Sequence, residues 1–530
     1  MQGTFLRVGL IAITISLTSP MVSATAQESR QLTPTAAVQV TGNPNPVRNY
    51  SSPLIARNPK NGQLTIASVD TRGTRECVVH ISNDDGRSWS PGGSLMTPPF
   101  TDCSIGAEWG SYFSVFYDRN GVLYVPFAAN DPALKTAPRP VETEDERDFI
   151  PRHIFLARST DGGGTFETSM VYRTVEGKPE SYSKGVVGAV DPNDPKYVYV
   201  AWRQGAYSAT KQKLLNPLAV SRDGGKTFEP PVDISPPGGA DHPSLVVDRK
   251  GVVHATTWAR SFGLPEPVPP RPILHVSSTD HGKTWTTKEI DPGNDRSYRP
   301  PAIAVDPGSD AIYVAWAGSK DPRNSALKEN DRLDVFLSAS TDGGRTWGPR
   351  RVVNDDAGKG VNHQFPNVAV APNGRVDVAW YDARLNIRPS GDPEGETPFT
   401  DVFYAFSNDR GQTFSPNVRI SDRSADRSIG VWSNNVGSAG PVGLVATDRM
   451  AYFAWQDTRN GTPVTQAEDV YMASLPFEAS SVQDDGSSAP SWLLIAGGVA
   501  LGMGFAMALV WAMARRSRGP SAGRPVPVPS

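Results

Sequence analysis

Three copies of one short arrangement carry the chemistry this sequence offers most openly: Asp70-Thr71-Arg72, Asp382-Ala383-Arg384 and Asp457-Thr458-Arg459. A guanidinium presents a planar fork of donors that can hold a carboxylate through two hydrogen bonds, as an acidic sugar would require. The same spacing also suits a local pair, in which each Asp holds its own Arg and staples a loop. Arg203, Arg260 and Lys320 stand at comparable places in three further units of the chain. Loops nearby add aromatic, acidic and basic groups: Arg48 and Tyr50, Glu108 and Trp109, Glu180 and Tyr182, Asp241 and His242, Tyr298 and Arg299, His363 and Trp432. Rings of this kind can cover apolar sugar faces and carboxylates can accept hydroxyl hydrogen bonds, though each residue equally suits loop packing.

The elements that must position these groups are repeats. The octapeptide S-x-D-x-G-x-[TS]-[WF] occurs six times, starting at Ser82, Ser159, Ser221, Ser278, Ser340 and Ser407, with separations of 77, 62, 57, 62 and 67 residues. That period fits one four-stranded sheet with its loops. Asp can accept hydrogen bonds from nearby backbone N–H groups and Gly tolerates a positive φ, so each copy predicts a hairpin turn closed by a buried ring. A strand rich in Val, Ile, Tyr and Trp recurs seven times, at residues 64–69, 122–127, 197–202, 252–258, 311–316, 375–380 and 450–455. Such near-continuous apolar runs suit strands buried on both faces. The seventh unit has a third strand, Asp469 to Ser474, without an octapeptide after it, and Ala37 to Val40 is an unpaired apolar segment that could complete its sheet. The chain therefore predicts an all-β, seven-bladed β-propeller closed by its N-terminal strand, with six blades as the alternative. Octapeptides join third to fourth strands, so the second-to-third loops and the blade-to-blade connections share the opposite face, where the three D-x-R units form an arc over blades six, seven and one.

Composition narrows the partners. A net charge of −3 over 530 residues, with 49 Gly and 48 Pro, describes a turn-rich chain without a bias toward nucleic acid. Residues 1–26 read as a secretory signal, with Arg7, an apolar run from Val8 to Leu17, and Ala24-Thr25-Ala26. Residues 492–514 hold no charge and precede Arg515, Arg516 and Arg518, which predicts one transmembrane helix with a short cytoplasmic tail, 515–530. Residues 477–491 read as a stalk, and Gly498 with Gly502 gives a weak hint of dimerisation in the span. The two cysteines, Cys77 and Cys103, can bond in an exported protein. The seven His are scattered, with no H-E-x-x-H or paired C-x-x-C, so no metal site and no cofactor is expected, although calcium on loop carboxylates stays open.

With six octapeptides and this strand pattern, residues 37–476 resemble the Asp-box, or bacterial-neuraminidase-repeat, propellers of the sialidase superfamily. The resemblance implies the fold; its members include exo-sialidases as well as receptors and assembly factors that bind without catalysis. Its enzymes use an arginine triad, a Tyr nucleophile with Glu, and an Asp acid/base, the first arginine lying in an F/Y-R-I-P motif. Here that place reads Tyr50-Ser51-Ser52-Pro53, and Tyr298-Arg299-Pro300-Pro301 falls in another blade. The resemblance makes Tyr381 the nucleophile candidate and Glu108 or Asp70 the acid/base candidates. The expectation is a membrane-anchored, extracytoplasmic propeller binding a glycan or other carboxylate-bearing ligand through Arg72, Asp382, Arg384, Asp457, Arg459, Arg203 and Arg260. The alternative is an exo-glycosidase of the sialidase type.

Overall fold

In the computed structural model, the described residues run from 32 to 477, apart from 97, 105–113, 134–151, 175–181, 208–211, 238, 260–271, 293–299, 319–332, 360, 386–398 and 431–439. Every regular element among them is a β-strand. They form seven antiparallel sheets. The middle strands Leu64–Asp70, Leu123–Asn130, Val198–Tyr207, Val253–Ala259, Ile312–Gly318, Val376–Asp382 and Met450–Asp457 each sit second in their sheet, within a residue or two of the expected starts. Their faces pack against the neighbouring blades on either side, which is why both parities of side chain are apolar. Trp202, Trp258, Trp316, Trp380 and Trp455 are among the largest fully buried side chains.

The ring closes as the unpaired segment predicts. Val38–Gln39 pairs antiparallel with Asp469–Pro476, Val38 opposite Met472 and Gln39 opposite Tyr471, so the last sheet takes its outer strand from the beginning of the chain. The count is therefore seven blades, and the six-bladed alternative falls. The described chain ends on the turn-bearing face, where the Phe477 amide bonds the Arg449 carbonyl at 2.7 Å. Signal segment, stalk, apolar span and tail lie outside the described residues; among those described, no helix is long and apolar enough to cross a membrane.

Each octapeptide joins a third strand to the region of the fourth and is held by one repeated network. In the fifth blade, Ser340 Oγ accepts the Gly344 amide at 2.9 Å and donates to Asp342 Oδ1 at 2.9 Å. Asp342 accepts the Thr346 amide at 2.9 Å and hydroxyl at 2.6 Å. Gly344 is required twice over: its φ is 82°, and a Cβ there would come within 2.1 Å of the His275 ring.

At the other end of the blades, five inner strands are interrupted by a bulge, with register shifts at Ser51/Leu54, Thr101/Ser104, Lys184/Val187, Asp241/Ser244 and Gln364/Asn367. Ser52, Asp102, His242 and Phe365 have positive φ there. Such bulges bend a strand and re-aim its side chains. Cys77 and Cys103 form a disulfide with a Cα separation of 5.5 Å, tying the third strand of blade one to the inner strand of blade two.

Candidate functional site

The D-x-R units sit where the middle strands emerge on the loop-bearing face. In each, Asp binds its own Arg. Asp70 contacts Arg72 through Nε and Nη2, with Nε at 2.8 Å from Oδ1. Asp382 meets Arg384 Nη2 at 2.8 Å, and Asp457 meets Arg459 Nη2 at 2.7 Å. Two of the aspartates are shared with a tryptophan two residues earlier: Trp380 Nε1 donates to Asp382 at 2.8 Å and Trp455 Nε1 to Asp457 at 3.0 Å. The W-x-D-x-R spacing in the sequence was the available signal that these carboxylates are committed to the fold.

The arginines also reach across blade joints. Arg384 adds Asp355 at 2.6 Å, Asp356 at 3.2 Å and Asn417 at 2.9 Å. Arg459 adds Asp422 at 2.7 Å. Burial opposes the Arg459 charge, but its bonds to Asp457 and Asp422 outweigh that and raise its pKa. Each guanidinium also lies over an aromatic ring, Arg72 over Tyr50 at 5.5 Å, Arg384 over Phe403 at 4.2 Å and Arg459 over Tyr471 at 4.0 Å.

The three differ in what they leave open. Arg384 uses Nε, Nη1 and Nη2, and its side chain is 16% exposed. Arg459 is 9% exposed. Arg72 is 24% exposed, and its bonds to Asp70 and to the Tyr50 hydroxyl employ Nε and Nη2, leaving Nη1 without a hydrogen bond to any described residue.

Of the remaining candidates, Arg203 is buried and pairs with Asp241 at 2.8 Å, and His242 Nδ1 lies 2.6 Å from the same carboxylate oxygen. Arg48 grips Asp469 with Nε at 2.6 Å and Nη2 at 2.7 Å. Tyr381 is 2% exposed in the core between blades six and seven. Its hydroxyl accepts the Gln456 amide at 3.3 Å, and Arg427 lies over its ring at 5.4 Å. Ser51, at the place of the family's first arginine, is fully buried. Arg260, Glu108, Trp109, Glu180, Tyr298, Arg299, Lys320 and Trp432 lie outside the described residues.

Sequence reasoning missed the partners that lie far along the chain. Asp102 receives Arg75 at 2.7 and 2.8 Å across the joint of blades one and two, and Arg152 of its own blade at 3.2 Å. Glu468, buried, accepts from Asn49 at 2.7 Å and from Gln456, linking blades seven and one. No local spacing announces such pairs.

No family model matches the chain, and no curated protein matches it. Solved structures similar to it include a protein of unknown function from Dyadobacter fermentans, 17% identical, over 68% of this chain and 96% of that one, at a TM-score of 0.44. They also include the alpha-L-arabinanase of Penicillium chrysogenum complexed with arabinobiose, 12% identical, over 84% and 98%, at 0.44. A Hadza microbial sialidase is 15% identical, over 77% and 73%, at 0.41. Likenesses this distant carry no argument about substrate or chemistry.

Proposed function

We propose that this protein is an exported, membrane-tethered propeller that binds a glycan or another carboxylate-bearing ligand on its loop-bearing face. The observation that carries the reading is Arg72. One edge of its guanidinium is fixed by Asp70 and its plane rests over Tyr50, while Nη1 bonds none of the described residues and the side chain is the most exposed of the arc. A charge held in place in this way loses little rotamer freedom on meeting a carboxylate. Arg459 and Arg384 lend structural support to the arc rather than the first contact.

Hydrolysis through Tyr381 is not part of this reading. A nucleophile must reach the substrate beside a positioned acid, whereas this hydroxyl is buried and engaged by a backbone amide. The test is capture of the soluble body, residues 27–476, on an array of acidic and neutral glycans. Arg72→Ala should weaken binding of the acidic members about tenfold or more, the worth of one charge-assisted contact. Unchanged capture by a folded variant would remove Arg72 from the site.

A further inference from the structure

The connection from blade five to blade six assembles three groups that the reading above leaves unused. Asp356 lies on that connection, His363 opens the next inner strand, and Asp382 ends the adjacent middle strand. Their ligating atoms all lie within 4.8 Å of one another. The residues are 7%, 1% and 0% exposed.

The imidazole's hydrogen bonds fix its polarity. Nδ1 is 2.5 Å from the Leu333 carbonyl, which can only accept, so Nδ1 carries the proton. Nε2 then faces Asp356 Oδ1 at 3.0 Å and Asp382 Oδ2 at 3.4 Å. A bare lone pair against two carboxylate oxygens is repulsive in a low-dielectric interior. A positive centre, either a proton or a metal ion, is needed between them.

Two observations favour the metal. Asp356 Oδ1 takes two donors, Asn354 at 3.0 Å and Arg384 at 3.2 Å, and faces His363 Nε2, whereas its Oδ2 is buried and accepts from none of the described groups. A proton on Nε2 does nothing for that oxygen; a metal ion beside the carboxylate gives it a partner. Charge points the same way. Asp355, Asp356 and Asp382 all bind Arg384, and three carboxylates against one guanidinium leave two negative charges, the charge of one divalent ion.

We propose that Asp356, His363 and Asp382 bind a divalent ion of the zinc class at the joint of blades five and six. One imidazole with carboxylates suits zinc or manganese, whereas calcium and magnesium prefer oxygen ligands alone. Separations of 3.0 and 3.4 Å are chords spanned by two bonds of about 2.1 Å at roughly 90 to 110 degrees, ordinary metal geometry. The Leu333 carbonyl supplies the outer hydrogen bond that orients a ligating histidine. Arg384 and Trp380 also donate to Asp382 Oδ2, and Arg384 to Asp356 Oδ1, which holds both carboxylates in place.

The test is calorimetric titration of the purified, chelator-stripped full-length protein with zinc chloride and, separately, magnesium chloride at neutral pH. One zinc per chain is expected, with magnesium at least a hundredfold weaker. Asp356→Asn, which keeps the side-chain volume, and His363→Gln should each weaken zinc at least tenfold. X-ray absorption of the zinc-loaded wild type keeps the proposal testable if a variant misfolds, and should report a single imidazole nitrogen among oxygen ligands. Absent saturable binding, equal affinity in the folded variants, or a coordination shell with two or more imidazoles would each overturn it.

Discussion

The two faces of the propeller use the same residue types in opposite ways. On the turn-bearing face, six aspartates accept hydrogen bonds from hydroxyls and amides no more than four residues away, as Asp84 does from Ser82 and Ser88. On the loop-bearing face, beside the local D-x-R pairs, aspartates also meet arginines of a neighbouring blade, as Asp102 meets Arg75 and Asp422 meets Arg459. The first set shapes single hairpins. The second fastens neighbouring blades together where the bulged inner strands loosen the ladder. A ring fastened at these joints can carry long loops without opening, which is what a binding face requires.

If this contrast is right, Asp→Ala should cost far more on the loop face than on the turn face. Asp457 is fully buried, and its loss strands the Trp455 indole and part of Arg459. Asp457→Ala should lower stability by about 3 to 5 kcal/mol in chemical unfolding, the scale for breaking a buried pair. A cost below about 1 kcal/mol would mean that the pair does not secure the joint.

Next in size is the disulfide between blades one and two. Replacing Cys77 and Cys103 together with Ala should cost roughly 3 kcal/mol, the chain-entropy value for a loop of this size. Their sequence separation is 26 residues. A loss confined to the first two blades in hydrogen exchange would sharpen the picture of joints as separate units; a loss spread over all seven would blur it.

The smallest effect belongs to the turn face. Asp342→Ala removes an exposed local network and should cost about 1 kcal/mol. Acid probes the same network collectively. Hydrogen bonds from Thr346 hold Asp342 down to about 2, and corresponding bonds from Thr413 bring Asp409 to about 2. A folded pKa below the unfolded value of 3.8 means that this stability is fully present above pH 4 and is lost as pH falls toward 2. Asp377 runs the other way: burial raises it to about 6, so its contribution declines as pH rises from 3.8 toward 6. Melting temperatures across pH 2–7 should therefore fall at the acid end in the wild type. The fall should be shallower in a variant lacking several octapeptide carboxylates.

What could be read from the sequence follows the same divide. Ser340, Asp342, Gly344 and Thr346 interact with one another, so their spacing alone reveals the turn. The middle strands were legible because both of their faces are buried, and the seventh blade because Ala37 to Val40 had no other partner. The D-x-R units were found, but their partners were not: Asp355 and Asp356 come to Arg384 from 29 and 28 residues away, through a joint that only the closed ring creates. The inner-strand bulges were also hidden, since Ser52 and Phe365 carry no glycine to betray a positive φ.

The central claim is that Tyr381 belongs to a joint and that the loop face binds without cleaving. Fluorogenic glycosides, sialosides included, incubated with residues 27–476 and with Tyr381→Phe test it most directly. The account predicts no turnover by either protein, retained glycan capture in Tyr381→Phe, and a small loss of stability from the missing bond to Gln456. Hydrolysis by the wild type that disappears in a folded Tyr381→Phe variant would contradict it.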